Sequence, residues 1–496
     1  MTLYSAGDRQ DRKWRCRRFA GAAVAAVAAV LLCACADVSM KPYQRPDTPG
    51  KAAWSSQKDL PVAASEMIAP DWWKQFRDPY LDRLVDQALR ANFDLKALAA
   101  RIGVARAEID EVRAGALPSL DAGAGASFEK STGQNFSKQF NLGTQVNWDI
   151  DIWGATAKGV QAQSAEYKAS EADWRAGYLS LVSDVSTTYF QILQFDEQIA
   201  QQQKTLGKNR AILTTLEAMM GQGLVPQTRV LQQRAEINRM RTDLIELGRL
   251  RAVAGNALAT LLGIPAGEFR VPAGQLQGRV QLPVVPEGLP SQLLKRRPDV
   301  VAAEYRVLAA YDVVGQAKLA QLPSVSLTGR GGTASLALGS LLKSFTFGLM
   351  PSINFPVFDP GVKARLKTSE ARSGVVEQEY RRVVMGAFEE VENTLVNLDA
   401  HRRQRVELQQ QSDQLGVVAA QVDAQLKEGM VSQLEVFEAE RSLLAAQLAL
   451  LANQQQILSD TVTLYKALGG GWPAVDVRNM ANEVANDAAS DATRRR

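Results

Sequence analysis

The sequence predicts a mixed α+β membrane protein, internally duplicated and trimeric, in which a twelve-stranded transmembrane β-barrel is continuous with a long α-helical coiled-coil barrel. Three features of its 496 residues lead there. The chain repeats itself at a nearly constant offset. Each copy holds two strand-like segments that alternate apolar and polar residues. Each copy also holds an unbroken helical stretch far longer than a compact globule needs.

The repeat is direct. ALPSL at residues 116–120 returns as QLPSV at 321–325, VNWDIDIWG at 146–154 as INFPVFDPG at 353–361, GLVPQTRVL at 223–231 as GMVSQLEVF at 429–437, and LATLLG at 258–263 as LYKALG at 464–469. The offsets are 205, 207, 206 and 206. Four matches with almost no slippage define one tandem duplication, with copies at residues 71–263 and 291–470.

Residues 1–34 read as a lipoprotein signal peptide. Arg9, Arg12, Lys13, Arg15, Arg17 and Arg18 precede fourteen uncharged residues from 19 to 32. That run falls short of the roughly 20 apolar residues a membrane-spanning helix needs. Leu32-Cys33-Ala34-Cys35 resembles a bacterial lipobox, a leucine three before and a small residue just before the acceptor. Cys35 is the better acceptor, because bulky Leu32 stands directly before Cys33. The lipobox implies cleavage before Cys35, a thioether-linked diacylglycerol and N-acylation of the new terminus; stable anchoring takes more than one chain. Ala36 in place of Asp implies export onward to the outer membrane.

Removing the leader takes six of the 57 basic and two of the 53 acidic residues and leaves 51 of each. The mature chain is therefore neutral and lacks the basic face that a nucleic-acid partner requires. After processing no cysteine is left for a disulfide, so stability rests on packing and assembly.

The acylated segment at residues 35–70 is expected to be extended. Each copy then opens with a helix, expected at 79–115 and at 298–322, and continues into a strand pair. In copy one, Phe140, Leu142, Thr144, Val146, Trp148, Ile150 and Ile152 alternate with polar residues, and Leu120, Ala122, Ala124, Ala126 and Phe128 do so in the partner. In copy two the row is Phe345, Phe347, Leu349, Pro351, Ile353, Phe355 and Val357. Strands of about 10 residues with one apolar and one polar face match a transmembrane β-strand. Four strands are too few to close a barrel, and open edges in lipid cost several kcal/mol per unpaired backbone group, so three chains are needed to make twelve.

Long helices are expected at residues 154–220 and 361–428, each roughly 100 Å at 1.5 Å per residue. Tyr178, Val182, Val185, Tyr189 and Ile192 in one, and Val384, Phe388, Val391, Leu395 and Leu398 in the other, form a seam with coiled-coil spacing. Breaks at GQGLVPQ and KEGMVSQ reverse each chain into a return helix of about 36 residues ending at Gly263 or Gly469. The two shorter helices of a copy together match the long one in length and are expected to stack end to end beside it. Residues 264–290 form a Pro-rich connector, and 471–496 a polar tail expected to be flexible.

These residues resemble the TolC family of outer-membrane efflux proteins, in its lipoprotein branch of NodT-like outer membrane factors. The resemblance rests on Cys35 followed by KPYQRPDTP, DWWKQFRDPYLDRLVDQAL at 71–89, RRPDV at 296–300, the two LPS strand entries and the paired tips at Gly223 and Gly429. It implies a homotrimer held in outer-membrane lipid, extending into the periplasm. Its implied role is a passive exit duct for small molecules such as drugs and toxic compounds, delivered by an inner-membrane efflux transporter through a periplasmic adaptor, or membrane fusion protein. It also implies a gate of Glu435 and Glu438 at the second tip; the first tip has Arg229 and Gln232 at the equivalent places, so Arg229 is expected to latch the closed tip through a neighbouring carboxylate. Gly223, Leu224, Val225 and Pro226, with Gly429, Met430, Val431 and Ser432, match the adaptor-docking tips. Read as residues alone, the two glutamates are equally a solvated face with a Glu438–Arg441 surface pair, and the glycines are equally helix stops.

Enzyme chemistry has no foothold. The only histidine is His401, so no His triad or His-based metal cluster is assembled, and no cofactor is expected beyond the lipid on Cys35. Two alternatives stand beside the efflux duct: a trimeric coiled-coil surface fibre or adhesin anchored by a β-barrel, and a protein-secretion duct. Intact mass of the mature protein checks the lipid site. The wild type is expected to carry diacylglycerol and the Cys35→Ala chain to lack it; a lipidated Cys35→Ala chain overturns the assignment.

Overall fold

The structure, a computed structural model, describes residues 42–50, 54–55, 68–130, 132, 136–276, 278–283, 285 and 296–472. The signal peptide, Cys35, part of the connector and most of the polar tail lie outside the described residues. The fold comprises two compact units, and neither coincides with a sequence repeat: each draws equivalent segments from both copies.

The first unit takes its described residues from Met1–Pro46, Val104–Lys168 and Glu304–Glu379. It holds one antiparallel sheet of β1 (Ser119–Glu129), β2 (Ser137–Ile150), β3 (Ser324–Ser335) and β4 (Thr346–Asn354), in the order β1-β2-β3-β4. The central pairing joins the two repeats, with Trp148 opposite Leu327 and Leu142 opposite Thr333. Alternation sorts the side chains by face. Leu120, Val146 and Gly329 share the apolar face with Leu327, Phe347 and Leu349, and Asp121, Gln145 and Arg330 share the polar one. The apolar face is bare, with Phe347 75% and Leu349 58% exposed. Two tryptophans tie strand ends to the LPS entries: Trp148 Nε1 donates to Ala116 O at 2.9 Å and Trp153 Nε1 to Pro323 O at 2.6 Å.

The second unit takes its described residues from Asp47–Gly103, Ala169–Ala303 and Tyr380–Arg496. The expected opening helix at 79–115 is two helices, α1 (Pro79–Ala91) and α2 (Phe93–Ala114). Asn92 breaks it. Its backbone is extended (φ −60, ψ 128), its side-chain oxygen accepts Leu95 N–H at 2.9 Å, and its Nδ2 donates to Leu261 O at 3.1 Å. The break thus supplies a cap to α2 and a partner to the last carbonyl of another helix.

The long helices fall where the sequence places them, as α3 (Ala155–Gly221) and, after α4 (Gln227–Leu261) and α5 (Pro298–Leu319), as α6 (Pro360–Lys427). The last helix is α7 (Gln433–Ala467). Helix α5 stops before the expected residue 322, because Leu322 precedes Pro323 and is disfavoured as helix; Gln321 and Leu322 bond instead to carbonyls three residues back. All ten seam residues of α3 and α6 are buried.

The helix-end contact recurs in the second repeat. Arg297, counterpart of Asn92, donates Nη1–H to Ala467 O at 3.0 Å and pairs with Asp299 at 2.7 Å and Glu390 at 2.6 Å. Burial alone would raise the Asp299 carboxyl, but the hydrogen bond and charge of Arg297 outweigh it and hold it below the usual range. Next to each contact a glycine turns the chain with positive φ: Gly263 at 67° and Gly469 at 88°. A Cβ on Gly263 would stand 2.7 Å from Ala91 O, and one on Gly469 2.9 Å from Arg296 O.

The connector is pinned to this unit. Asp196 pairs with Arg251, whose Nη2 donates to Val271 O at 2.9 Å; Leu276 N–H donates to Glu197 Oε2 at 2.9 Å, and Gln281 N–H to Phe76 O at 3.0 Å. Asp78, itself buried, accepts Tyr189 O–H at 2.7 Å and Arg279 Nε–H at 3.0 Å. Trp72 stacks on Tyr465 with ring centres 4.8 Å apart.

Gly263→Ala and Gly469→Ala are each expected to cost roughly 2–4 kcal/mol, from left-handed backbone strain plus displacement of a neighbouring carbonyl. Gly207→Ala, in a helix with open space at its Cβ, is expected to be neutral or slightly stabilising. Thermal unfolding of the three purified variants in mild detergent checks both.

Candidate functional site

The two hairpin tips share one backbone solution. Helix α3 ends in a Schellman turn, with Leu224 N–H donating to Met219 O at 2.9 Å and Gly223 N–H to Met220 O at 3.0 Å. Helix α6 repeats it: Met430 N–H donates to Gln425 O at 2.9 Å and Gly429 N–H to Leu426 O at 3.0 Å. Gly223 (φ 72) and Gly429 (φ 74) take the left-handed position that a side chain would strain. The residue after each glycine is an apolar knob in the open, Leu224 at 65% and Met430 at 63% exposed. Val225 and Val431 are half-buried behind them.

The tips diverge where the return helices begin. Pro226 starts α4 with no side-chain cap. Ser432 starts α7 in a capping box, its N–H donating to Glu435 Oε1 at 3.1 Å and its hydroxyl to the same oxygen at 3.0 Å. Glu435 is therefore engaged within its own tip. Glu438 is exposed and pairs with Arg441 at 2.9 Å, one turn on. Arg229 is half-buried, stands at the position of the first tip equivalent to Glu435, and forms no ion pair among the described residues.

Behind the tips lies a polar lattice that sequence reasoning missed. Asn209 of α3, almost fully buried, donates Nδ2–H to Glu440 Oε2 of α7 at 3.2 Å. Gln233 of α4, also buried, donates Nε2–H to Asn209 O at 2.8 Å and to Asn209 Oδ1 at 3.0 Å. One asparagine thus links the first hairpin to the return helix of the second. Burial pushes the Glu440 carboxyl up, against the opposing charge of Lys208 and the Asn209 hydrogen bond. The signal was present: Gln202, Leu206, Asn209, Leu213 and Leu216 have a 4,3 spacing of their own, with Gln202, Asn209 and Leu216 one residue out of phase with the seam before them, so two polar side chains occupy core positions, a known way to fix helix register.

A duplicated chain with one two-faced sheet and two long hairpins falls in the class of outer-membrane transport proteins. A family model described as outer membrane efflux protein matches residues 84–264 and 289–470. The chain is 32% identical over 448 residues to the probable outer membrane lipoprotein SilC of Salmonella typhimurium, covering 88% of this chain and 96% of that one. It is 31% identical over 438 residues to the pyoverdine export outer membrane protein OpmQ of Pseudomonas putida, covering 85% and 92%. Among solved structures, the open state of the Neisseria gonorrhoeae MtrE outer membrane channel superposes with a TM-score of 0.79 at 30% identity, covering 88% of this chain and 98% of that one. The chain belongs to the outer membrane efflux protein family, and its location is the outer membrane. Membership removes the surface-fibre alternative.

The lattice gives a pH signature. A carboxyl whose folded pKa is raised contributes stability that is full below the unfolded value of about 4.3 and is lost as pH rises through the folded value. Glu440→Gln, which stays neutral and keeps an acceptor for Asn209, is expected to remove that loss. Melting temperature measured from pH 4 to pH 8 should fall less for the variant than for the wild type; equal slopes would show that Glu440 does not feel its burial.

Proposed function

We propose that three copies of this chain close a twelve-stranded barrel and act as the exit duct of a tripartite efflux system, passing small molecules that an inner-membrane transporter delivers through a periplasmic adaptor. The open sheet carries this reading: it has one exposed apolar face, one polar face and two edges without a partner strand among the described residues. A second feature supports assembly. Met385, Val396, Val406 and Val417 of α6 are exposed and lie ten or eleven residues apart, close to three helical turns, so they are apolar points on one side of the helix, with charged residues such as Asp399 and Arg403 between them, that a neighbouring copy would cover.

Gly223, Leu224, Val225 and Pro226, with Gly429, Met430, Val431 and Ser432, present the adaptor-docking tips, and Leu224 and Met430 are their apolar contacts. Glu435 and Glu438 gate the periplasmic entrance, with Arg229 as the latch that meets a carboxylate of a neighbouring copy. Cys35 carries the lipid anchor. Relatives are named for cation efflux, for pyoverdine export and for solvent efflux, so one duct architecture serves unlike cargoes and the partner pump selects among them.

Native mass spectrometry in mild detergent is expected to give a trimer; a monodisperse monomer with full strand content overturns the assembly. In planar bilayers the trimer with Glu435→Gln and Glu438→Gln together is expected to lose cation preference and block by multivalent cations. An unchanged reversal potential would leave the two glutamates as a helix cap and a surface pair.

A further inference from the structure

The polar face of the sheet carries charge that the gate does not use. Its strand residues include the acids Asp121, Glu129 and Asp149 and a single basic side chain, Arg330. Register places Arg330 in one cross-strand row: Asp121 opposite Gln145, Gln145 opposite Arg330, and Arg330 opposite Gly348. The next row toward the β1–β2 turn is Gly123, Gly143, Gly332 and Thr346, and the one after it includes Gly125, Asn141 and Ala334. Long side chains therefore reach out from the Arg330 row over a floor of small residues.

On the other side lie Ser119, Asn147, Thr328 and Met350. There Asn147 gathers its neighbours: Gln145 Nε2–H donates to its Oδ1 at 2.8 Å, the Thr328 hydroxyl donates to the same oxygen at 3.5 Å, and its own Nδ2–H reaches Asp121 Oδ2 at 3.5 Å. Asp121 and Gln145 are thus engaged with Asn147. Arg330 is outside that network, exposed, and has no ion pair among the described residues. With Asp121, Gln145 and the neighbouring glycines it lines an open concavity of about 1000 Å³.

We infer that Arg330 is a selectivity residue of the barrel, its guanidinium binding the carboxylate or phosphate groups of anionic solutes in an otherwise acidic bore. The inference rests on the trimeric duct proposed above, which places three Arg330 side chains at one level of the lumen by symmetry. A guanidinium offers a planar fork that matches carboxylate and phosphate oxygens. Inside a bore walled by protein and lipid its field is focused rather than screened. An acidic lumen without it would repel anions along its length; with it, anions meet one attractive station partway through. Asp121, two strands away in the same row, tempers that attraction.

The test uses the full-length lipidated protein, first by native mass and then in planar bilayers. Variants are Arg330→Gln, Arg330→Lys and Asp121→Asn, and the probe is inorganic triphosphate added to each side in turn. Arg330→Gln is expected to shift the reversal potential toward cations and raise the half-blocking concentration of triphosphate about tenfold or more. Arg330→Lys should restore most of the reversal potential, and Asp121→Asn should shift both readouts the opposite way from Arg330→Gln. A trimeric Arg330→Gln channel with wild-type reversal potential and wild-type block, or a wild type that triphosphate does not block from either side, overturns the inference. Absence of a trimer in the wild type instead overturns the assembly, and is read separately by native mass.

Discussion

Everything in this chain is arranged around an unfinished hydrogen-bond ladder. Among the described residues of one chain β1 and β4 each have one neighbouring strand, so each presents a row of backbone N–H and C=O groups with no strand partner there. In water such an edge is a hazard; in hydrocarbon, with no water to compensate, each unpaired group costs several kcal/mol. The same sheet bares Phe347, Leu349 and Ile353 on one face, which only lipid or another protein surface would cover. The proposed closure with further copies inside a membrane would meet both needs together, strands for the edge and lipid for the face.

Duplication prepares the chain for that task. One repeat supplies a single hairpin, and the second supplies the strand that pairs with it, so the sheet's central ladder is also the seam between repeats. The helical ends are handled the same way twice. Asn92 and Arg297 differ in charge and size, yet each donates to the final carbonyl of a return helix, Leu261 or Ala467. What persists across the copies is the need of a buried helix terminus for a donor, and an amide and a guanidinium both satisfy it. The guanidinium brings a charge that must then be neutralised, which accounts for Asp299 and Glu390 beside it.

The elements legible in the sequence were those governed by local period. The strands, the long helices, the buried seams and the glycines at the tips follow from spacing and from residues that only certain backbones accept. What escaped depends on partners far along the chain. Asn92 looks like an ordinary helix residue until Leu261, 169 positions away, supplies the carbonyl that holds it. The connector reads as Pro-rich linker, although Asp78, Asp196 and Glu197 pin it to helices and bury Val271 and Leu276. The Asp121, Gln145 and Arg330 row exists only through register. One omission was avoidable: Ser432 followed three residues later by Glu435 is a capping-box signature, and it assigns the first duty of Glu435 to its own helix start.

That duty sharpens the comparison between the tips. Glu435 and Arg229 occupy equivalent positions, the third residue of a return helix, where the exposed backbone N–H groups make the local potential positive. A glutamate there is favoured twice, by the helix terminus and by the hydrogen bonds from Ser432. An arginine there is disfavoured by the terminus, typically by about 0.3–1 kcal/mol, and Pro226 offers it no compensating cap. Helix stability therefore accounts for Glu435 without any gate and does not account for Arg229 at all. Of the three residues proposed for the gate, Arg229 is the one whose presence calls for a partner outside the helix it starts, and a carboxylate on a neighbouring copy has the charge to be that partner.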